Sequence, residues 1–258
     1  MEQRPLILIC NDDGITAPGI NALVQAMQPL GDLVVVAPDS PQSGTGHGIT
    51  LNSALRLQPM NLWEGVTARA CSGTPVDCIK IALNRVVARK PDLIVSGINH
   101  GSNASINVLY SGTMSAAVEG AMSGIPSIGF SLLNHSIDAD FTASKVVAHK
   151  VASEVLQKGL KPGACLNVNI PNLSLDALMG MRVCRQAKGY WHEEMDARKD
   201  PSGKDYYWLT GWFENQDSGE DTDIWALDNN YVSVVPTQFD LTAYNSMEHL
   251  NTMDWNVE

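Results

Sequence analysis

Short apolar runs, each cut off by a polar turn and followed by a helical period, most narrow what this chain can build. Leu6 to Cys10 is continuously apolar after Pro5, as suits a central parallel strand buried on both faces. It stops at Asn11-Asp12-Asp13-Gly14, which is turn chemistry. Pro18 then opens a helix, with Ile20, Leu23, Val24 and Met27 spaced three and four apart. The pattern predicts further strands at 33–37, 67–71, 92–96 (ending in Gly97), 125–131 and 166–170, and helices at 75–87, 111–122 and 141–156. Such β-α-β repetition predicts an α/β fold with a doubly wound, mostly parallel sheet. Ligands in these sheets sit outside the carboxyl ends of the strands, where N-D-D-G and S-G-I-N fall.

At 258 residues the chain buries about three quarters of its unfolded surface without disulfides or structural metals. The five cysteines form no C-x-x-C pair and read as buried reduced thiols. Apolar runs near the N-terminus are too short for a signal peptide or a membrane span, so a cytoplasmic protein without membrane contact is expected. A net charge of −11 argues against a nucleic-acid partner, which needs clustered Lys and Arg. Composition shifts near residue 189, beyond which lie twelve of the sixteen aromatic residues. We therefore divide the chain into an α/β catalytic core, 1–188, and an aromatic-rich, acidic β extension, 189–258. That extension reads either as a surface packed on a second subunit or as an antiparallel edge of the same sheet.

Asp12 and Asp13 are the sharpest chemical feature. Adjacent carboxylates at the end of a buried strand repel each other, and a divalent cation relieves that repulsion. Helix capping is the alternative, although Pro18 is five or six residues away. With no His cluster or Cys pair nearby, oxygen donors point to Mg²⁺ or Mn²⁺ rather than Zn²⁺. Ser43, in Gln42-Ser-Gly-Thr-Gly46, lies in an anion nest or in an ordinary flexible loop. Asn99 and Asn103, four apart in a Gly-rich stretch, suit directed polar contacts or Asx-turns. Ser111-Gly112-Thr113 opens a helix, giving a phosphate site by geometry and dipole, plain N-capping, or both.

Together the motifs I-L-I-C-N-D-D-G-I-T-A-P-G-I, G-T-P-V-D-C, P-D-L-I-V-S-G-I-N-H-G, V-L-Y-S-G-T-M-S-A-A-V-E-G and Y-V-S-V-V-P-T-Q-F-D-L-T resemble the SurE family of metal-dependent nucleotidases, in order along nearly the whole chain. The resemblance implies a Rossmann-like core, hydrolysis of nucleoside 5′- or 3′-monophosphates, and one Mg²⁺ or Mn²⁺ per subunit. By motif position it implies Asp12, Asp13, Ser43 and Asn99 as metal ligands, with Asn103, Ser111, Gly112 and Thr113 around the phosphate. Of these, Asp12, Asp13, Asn103 and Ser111 would carry catalysis. It also implies a homodimer or homotetramer that exchanges C-terminal elements. Where many members carry an Arg before the S-G loop and acids after the Asn-containing loop, this chain has Asp39-Ser-Pro-Gln-Ser-Gly44 and Asn103-Ala-Ser-Ile-Asn-Val108.

The expected chemistry is metal-assisted attack of water on a phosphomonoester. A non-catalytic nucleotide sensor is the competing reading. It leaves Asp12 and Asp13 unexplained, because without a cation they repel phosphate. A glycosyl- or nucleotidyl-transferase of doubly wound fold is the second rival.

Overall fold

In the computed structural model, which describes residues 3–256, the alternating pattern becomes one large sheet. The chain runs through β1 (Leu6–Cys10), α1 (Pro18–Met27), β2 (Asp32–Pro38), β3 (Leu57–Met60), β4 (Thr67–Cys71), α2 (Pro75–Ile81), β5 (Leu93–His100) and α3 (Gly112–Met122). It continues through β6 (Ser127–Leu132), α4 (Thr142–Lys158), β7 (Ala164–Ile170), β8 (Met181–Val183), β9 (Gly189–Lys199), β10 (Asp205–Asn215), α5 (Asp223–Asp228), β11 (Val232–Gln238) and α6 (Tyr244–Leu250).

The sheet order is β3-β4-β2-β1-β5-β6-β7-β11-β8. From β4 to β7 all neighbours are parallel, while β3 and β11 each join antiparallel. The chain builds outward from β1 to β4, returns to β5 and builds the other way. The order therefore reverses between β1 and β5, which is where such folds open a ligand crevice.

Alternation within the strands fixes the two layers. Ile7 and Ile9 of β1, with Leu93 and Val95 of β5, pack into the layer that holds α1 and α4. Leu6, Leu8 and Cys10 point the other way, onto α2 and α3. All five β1 residues are buried, and each fully buried Leu or Ile contributes roughly 1.5–3 kcal/mol. The α2 N-terminus carries a capping box, Thr74 with Asp77, as G-T-P-V-D requires. The helix expected over 75–87 continues past Ile81 as a π-helical stretch, Ala82–Val86.

The structure differs from the sequence expectation in several places. β5 does not end at Gly97; it bulges between Ser96 and Asn99 and runs on to His100. Gly97 permits this at φ +122, where a Cβ would meet the Phe130 carbonyl oxygen at 2.4 Å. β3 contains Pro59 and β8 has three residues, so neither carried a strand pattern; both are edge strands, which tolerate this. β9 is rich in charge and forms by pairing with β10 from Asp205↔Lys199 to Asn215↔Gly189.

The chain beyond residue 188 divides between two structures. β9 and β10 make a separate two-stranded sheet, whereas β11 joins the main sheet between β7 and β8. No helix among the described residues is long and apolar enough to cross a membrane.

Candidate active site

Asp12 follows directly on β1 and is 4% exposed. Asn11 shapes the turn by donating its side-chain amide to the Gly14 carbonyl at 2.9 Å. The N-terminus of α3 approaches from the other side, and Thr113 donates its hydroxyl to Asp12 Oδ1 at 2.5 Å. Gly112 makes this approach possible: a Cβ there would lie 2.7 Å from Asp12 Cβ and 2.9 Å from its Oδ2.

Burial pushes the Asp12 carboxyl up to about 6 despite the Thr113 hydrogen bond, and the neighbouring Asp13 charge adds to the rise. Burial also raises Asp13, tempered by the His100 ring and by the His100 backbone N–H, which donates to Asp13 Oδ2 at 3.3 Å.

Asn99 lies on β5, across the crevice. Its amide nitrogen donates to the Gly101 carbonyl at 2.8 Å, which leaves its Oδ1 available as an acceptor. Asn103 is held by a buried amide network. Its backbone N–H donates to Asn169 Oδ1 at 2.8 Å and its side chain to Ser131 Oγ at 2.7 Å. Asn167 donates to its carbonyl at 2.8 Å.

Ser111 caps α3, accepting from the Met114 N–H at 3.0 Å. Ser43 rides on the loop after β2. The Gln42 N–H ties this loop to the Asp12 carbonyl at 2.7 Å, and the Gly46 N–H ties it to the Tyr110 carbonyl at 3.2 Å. Farther along, His47 reaches the buried Glu119 of α3, which also takes Lys80.

Asp12, Ser43, Asn99, Asn103 and Ser111 line one cavity of about 640 Å³. Asp13 lines an adjoining cavity of about 420 Å³; His100 and His135 border both. Gly112 and Thr113 stand behind Asp12, with the Thr113 side chain fully buried. The first turn of α3 thus holds a carboxylate, and its dipole favours the ionised form.

The far wall was not legible in the sequence. Trp191 of β9, Phe213 of β10 and Leu227 of α5 border the main cavity. A buried node brings them there. Asp223 Oδ2 accepts from the Ser105 N–H at 2.8 Å, and its Oδ1 accepts from the N–H groups of Ala187 at 2.9 Å and Ile224 at 2.8 Å. This ties the hairpin root and α5 to the turn before α3. The aromatic enrichment after residue 189 was the available signal, but spacing alone could not aim it at the crevice.

The donor set suits a hard divalent cation: two carboxylates at the switch point, an amide oxygen and a hydroxyl. Asn11 Oδ1 is also buried there without a hydrogen-bond partner. Among the described residues no group of three or more His, Cys, Asp or Glu side chains could hold a metal, so neutral oxygens would have to complete the coordination.

Fold and site together define a Rossmann-like α/β protein with a carboxylate-bearing crevice at its switch point. The chain belongs to the survival protein SurE family, whose model matches residues 7–193. It is 59% identical over 254 residues to the 5′-nucleotidase SurE of Flavobacterium psychrophilum, covering 98% of this chain and 99% of that one. It is 45% identical over 259 residues to the 5′-nucleotidase SurE of Chlorobaculum tepidum, covering 99% and 96%. The crystal structure of the SurE protein from Aquifex aeolicus superposes with a TM-score of 0.83 at 39% identity, covering 96% of this chain and 99% of that one.

Proposed function

We propose that this chain hydrolyses nucleoside 5′-monophosphates, and 3′-monophosphates by the same chemistry, using one Mg²⁺ or Mn²⁺ held by Asp12, Asp13, Ser43 and Asn99. The observation that carries this reading is the buried Asp12 in the same crevice as Ser43, Asn99, Asn103 and Ser111, with Asp13 on the adjoining cavity. Close relatives named 5′-nucleotidases support the substrate class.

A cation bound there would neutralise the phosphate and acidify a water molecule. The chain's own groups do the rest. Asp12 and Asp13 set the local negative charge. Thr113 and the α3 dipole offset part of the burial cost of the Asp12 charge and hold the carboxyl in place. Asn103, immobilised by Ser131, Asn167 and Asn169, keeps one amide N–H for a phosphoryl oxygen, and Ser111 can donate its hydroxyl to another. Water attacks phosphorus, the bond to the ribose oxygen breaks, and the proton lost by water ends on that oxygen. Asp12 and Asp13 serve better as ligands than as nucleophiles, because a cation withdraws their electron density.

The exposed aromatic and apolar side chains of β10 and α6, including Tyr207, Trp208, Tyr244 and Met247, support self-association into a homodimer or homotetramer. A cytoplasmic location accords with the five free cysteines, all buried.

The test of the reaction is phosphate release from AMP. EDTA should abolish it and Mn²⁺ or Mg²⁺ should restore it. Full turnover by metal-stripped protein would refute the metal requirement.

A further inference from the structure

The loop that carries Ser43 has little of its own to hold it. From Asp39 to Gly48 it forms neither helix nor strand, and Ser43 itself is exposed. Gly44, Gly46 and Gly48 offer no side chains for packing and leave the backbone free to move. Backbone bonds tie Gln42 to Asp12 and Gly46 to Tyr110, and the Gly48 carbonyl accepts from Thr74 Oγ1 at 2.8 Å. Among the described residues, one side chain of this segment hydrogen-bonds to another element. It is His47, whose Nε2 lies 3.2 Å from Glu119 Oε2.

Glu119 lines neither crevice cavity, and its side chain is only 7% exposed. A carboxylate is buried at a cost unless it is paired. Its two oxygens divide between two elements. Oε1 accepts from Lys80 Nζ of α2 at 2.6 Å, which already balances the charge and fastens α2 to α3. Oε2 is left for the loop. The neutral Nε2–H tautomer of His47 donates to it as well as the charged ring does, so the bond needs no added proton. The same helix holds Asp12 through Thr113. Thr113 and Glu119 stand about 9 Å apart along a rigid α3, so one element locates both a carboxylate of the crevice and the loop facing it.

We propose that Glu119 is a positioning residue: through His47 it holds the loop bearing Ser43 in register with Asp12, so that the oxygen donors of the crevice are arranged before a cation arrives. This deepens the metal-dependent hydrolase reading and rests on it for the role of Ser43. Donors ordered in advance lose less conformational freedom on binding, which tightens the complex without adding a ligand. A glycine-rich loop has much of that freedom to lose, so the His47 contact should matter to cation affinity although neither His47 nor Glu119 touches the cation.

Two measurements on the full chain test this, neither of which needs turnover. The first is hydrogen exchange over residues 39–48 in EDTA, read by mass spectrometry. It should quicken about tenfold in His47→Ala, as expected for loss of a bond to a charged acceptor, and return towards the parent rate in His47→Gln, whose amide N–H replaces the ring donor. Glu119→Ala should match His47→Ala, and the half-exposed His47 keeps the test open if the Glu119 variant does not fold. The second is the Mn²⁺ dissociation constant, read from the electron paramagnetic resonance of free Mn²⁺. It should rise about tenfold in His47→Ala, the lower end for loss of a group that orients a ligand. In a Ser43→Ala background the same change should add less than about twofold, because its route is gone. Lys80→Met should lower Tm and leave loop exchange and Mn²⁺ affinity at parent values. Parent-rate exchange in His47→Ala would overturn the proposal. So would equal quickening in Lys80→Met, which would make Glu119 only a joint between α2 and α3, or a full tenfold loss on top of Ser43→Ala. If Asp12→Asn and Ser43→Ala bound Mn²⁺ like the parent while His47→Ala loosened the loop, the cation reading would fall and the clamp would stand.

Discussion

β1 and β10 are both rich in large apolar side chains, but the fold treats them in opposite ways. Every residue of β1 is buried between two helical layers. In β10, all but Phe213 are exposed, including Tyr207, Trp208 and Trp212. The central sheet satisfies its apolar faces within one chain. The hairpin satisfies its backbone by pairing with β9 but leaves its side chains without a layer to cover them. A two-stranded sheet gains little stability alone, so the hairpin depends on what its root and its surface touch.

Three measurements sharpen or break this contrast. The largest effect belongs to the sheet interior. Phe130 on β6 is fully buried, and Phe130→Ala should cost about 3–5 kcal/mol in urea unfolding. A cost below about 1 kcal/mol would mean that the interior packs no better than the hairpin.

Asp12→Asn comes next and should move rate and stability in opposite directions. Turnover of AMP with Mn²⁺ should fall about a hundredfold or more, by analogy with removal of an oxyanion donor. In EDTA at pH 7, however, the variant should be more stable than the parent. Because the folded carboxyl titrates at about 6 against an ordinary 3.8, the folded state retains the proton more strongly than the unfolded state. Asp12 therefore lowers stability as pH rises from about 3.8 to about 6, by about 3 kcal/mol at the top of that window. The gap between variant and parent should close by pH 4. A gap that widened on acidification would contradict the sign of the shift.

The smallest stability effect should come from the hairpin surface. Tyr207→Ser with Trp208→Ser should change the unfolding free energy of the isolated chain by only about 0.5 kcal/mol, while lowering the particle mass seen by light scattering. An unchanged mass would exclude these side chains from any subunit contact.

The same contrast explains what could be read from the sequence. The parallel core was legible because burial on both faces leaves uninterrupted apolar runs, and helices on both sides leave a three-and-four spacing. Asp12 and Asp13 were conspicuous because charge is rare at the end of such a run. Asn99 was placed at the crevice, but in a loop after its strand rather than on it, because Gly97 disguises a bulge as a strand end. Thr113 was assigned to phosphate, whereas its hydroxyl is engaged by Asp12; nothing local distinguishes the two. The hairpin's β9 has the composition of a solvated loop and is a strand only because β10 pairs with it. The Asp223 node joins residues 118 positions apart through Ser105, and no periodicity encodes such a contact.

That node has a consequence in time. A ribosome delivers residues in order, at about 5–20 per second. The parallel run from β4 to β7 has all its strands once β7 ends at Ile170, and by then the chain already contains Asp12, Ser43, Asn99, Asn103 and Ser111. Asp223, which fastens the hairpin root to the turn before α3, follows some fifty residues later, several seconds on. For that interval the nascent protein can assemble the polar floor of its crevice without the fastening of its aromatic wall. Synthesis therefore finishes this crevice from the inside outward.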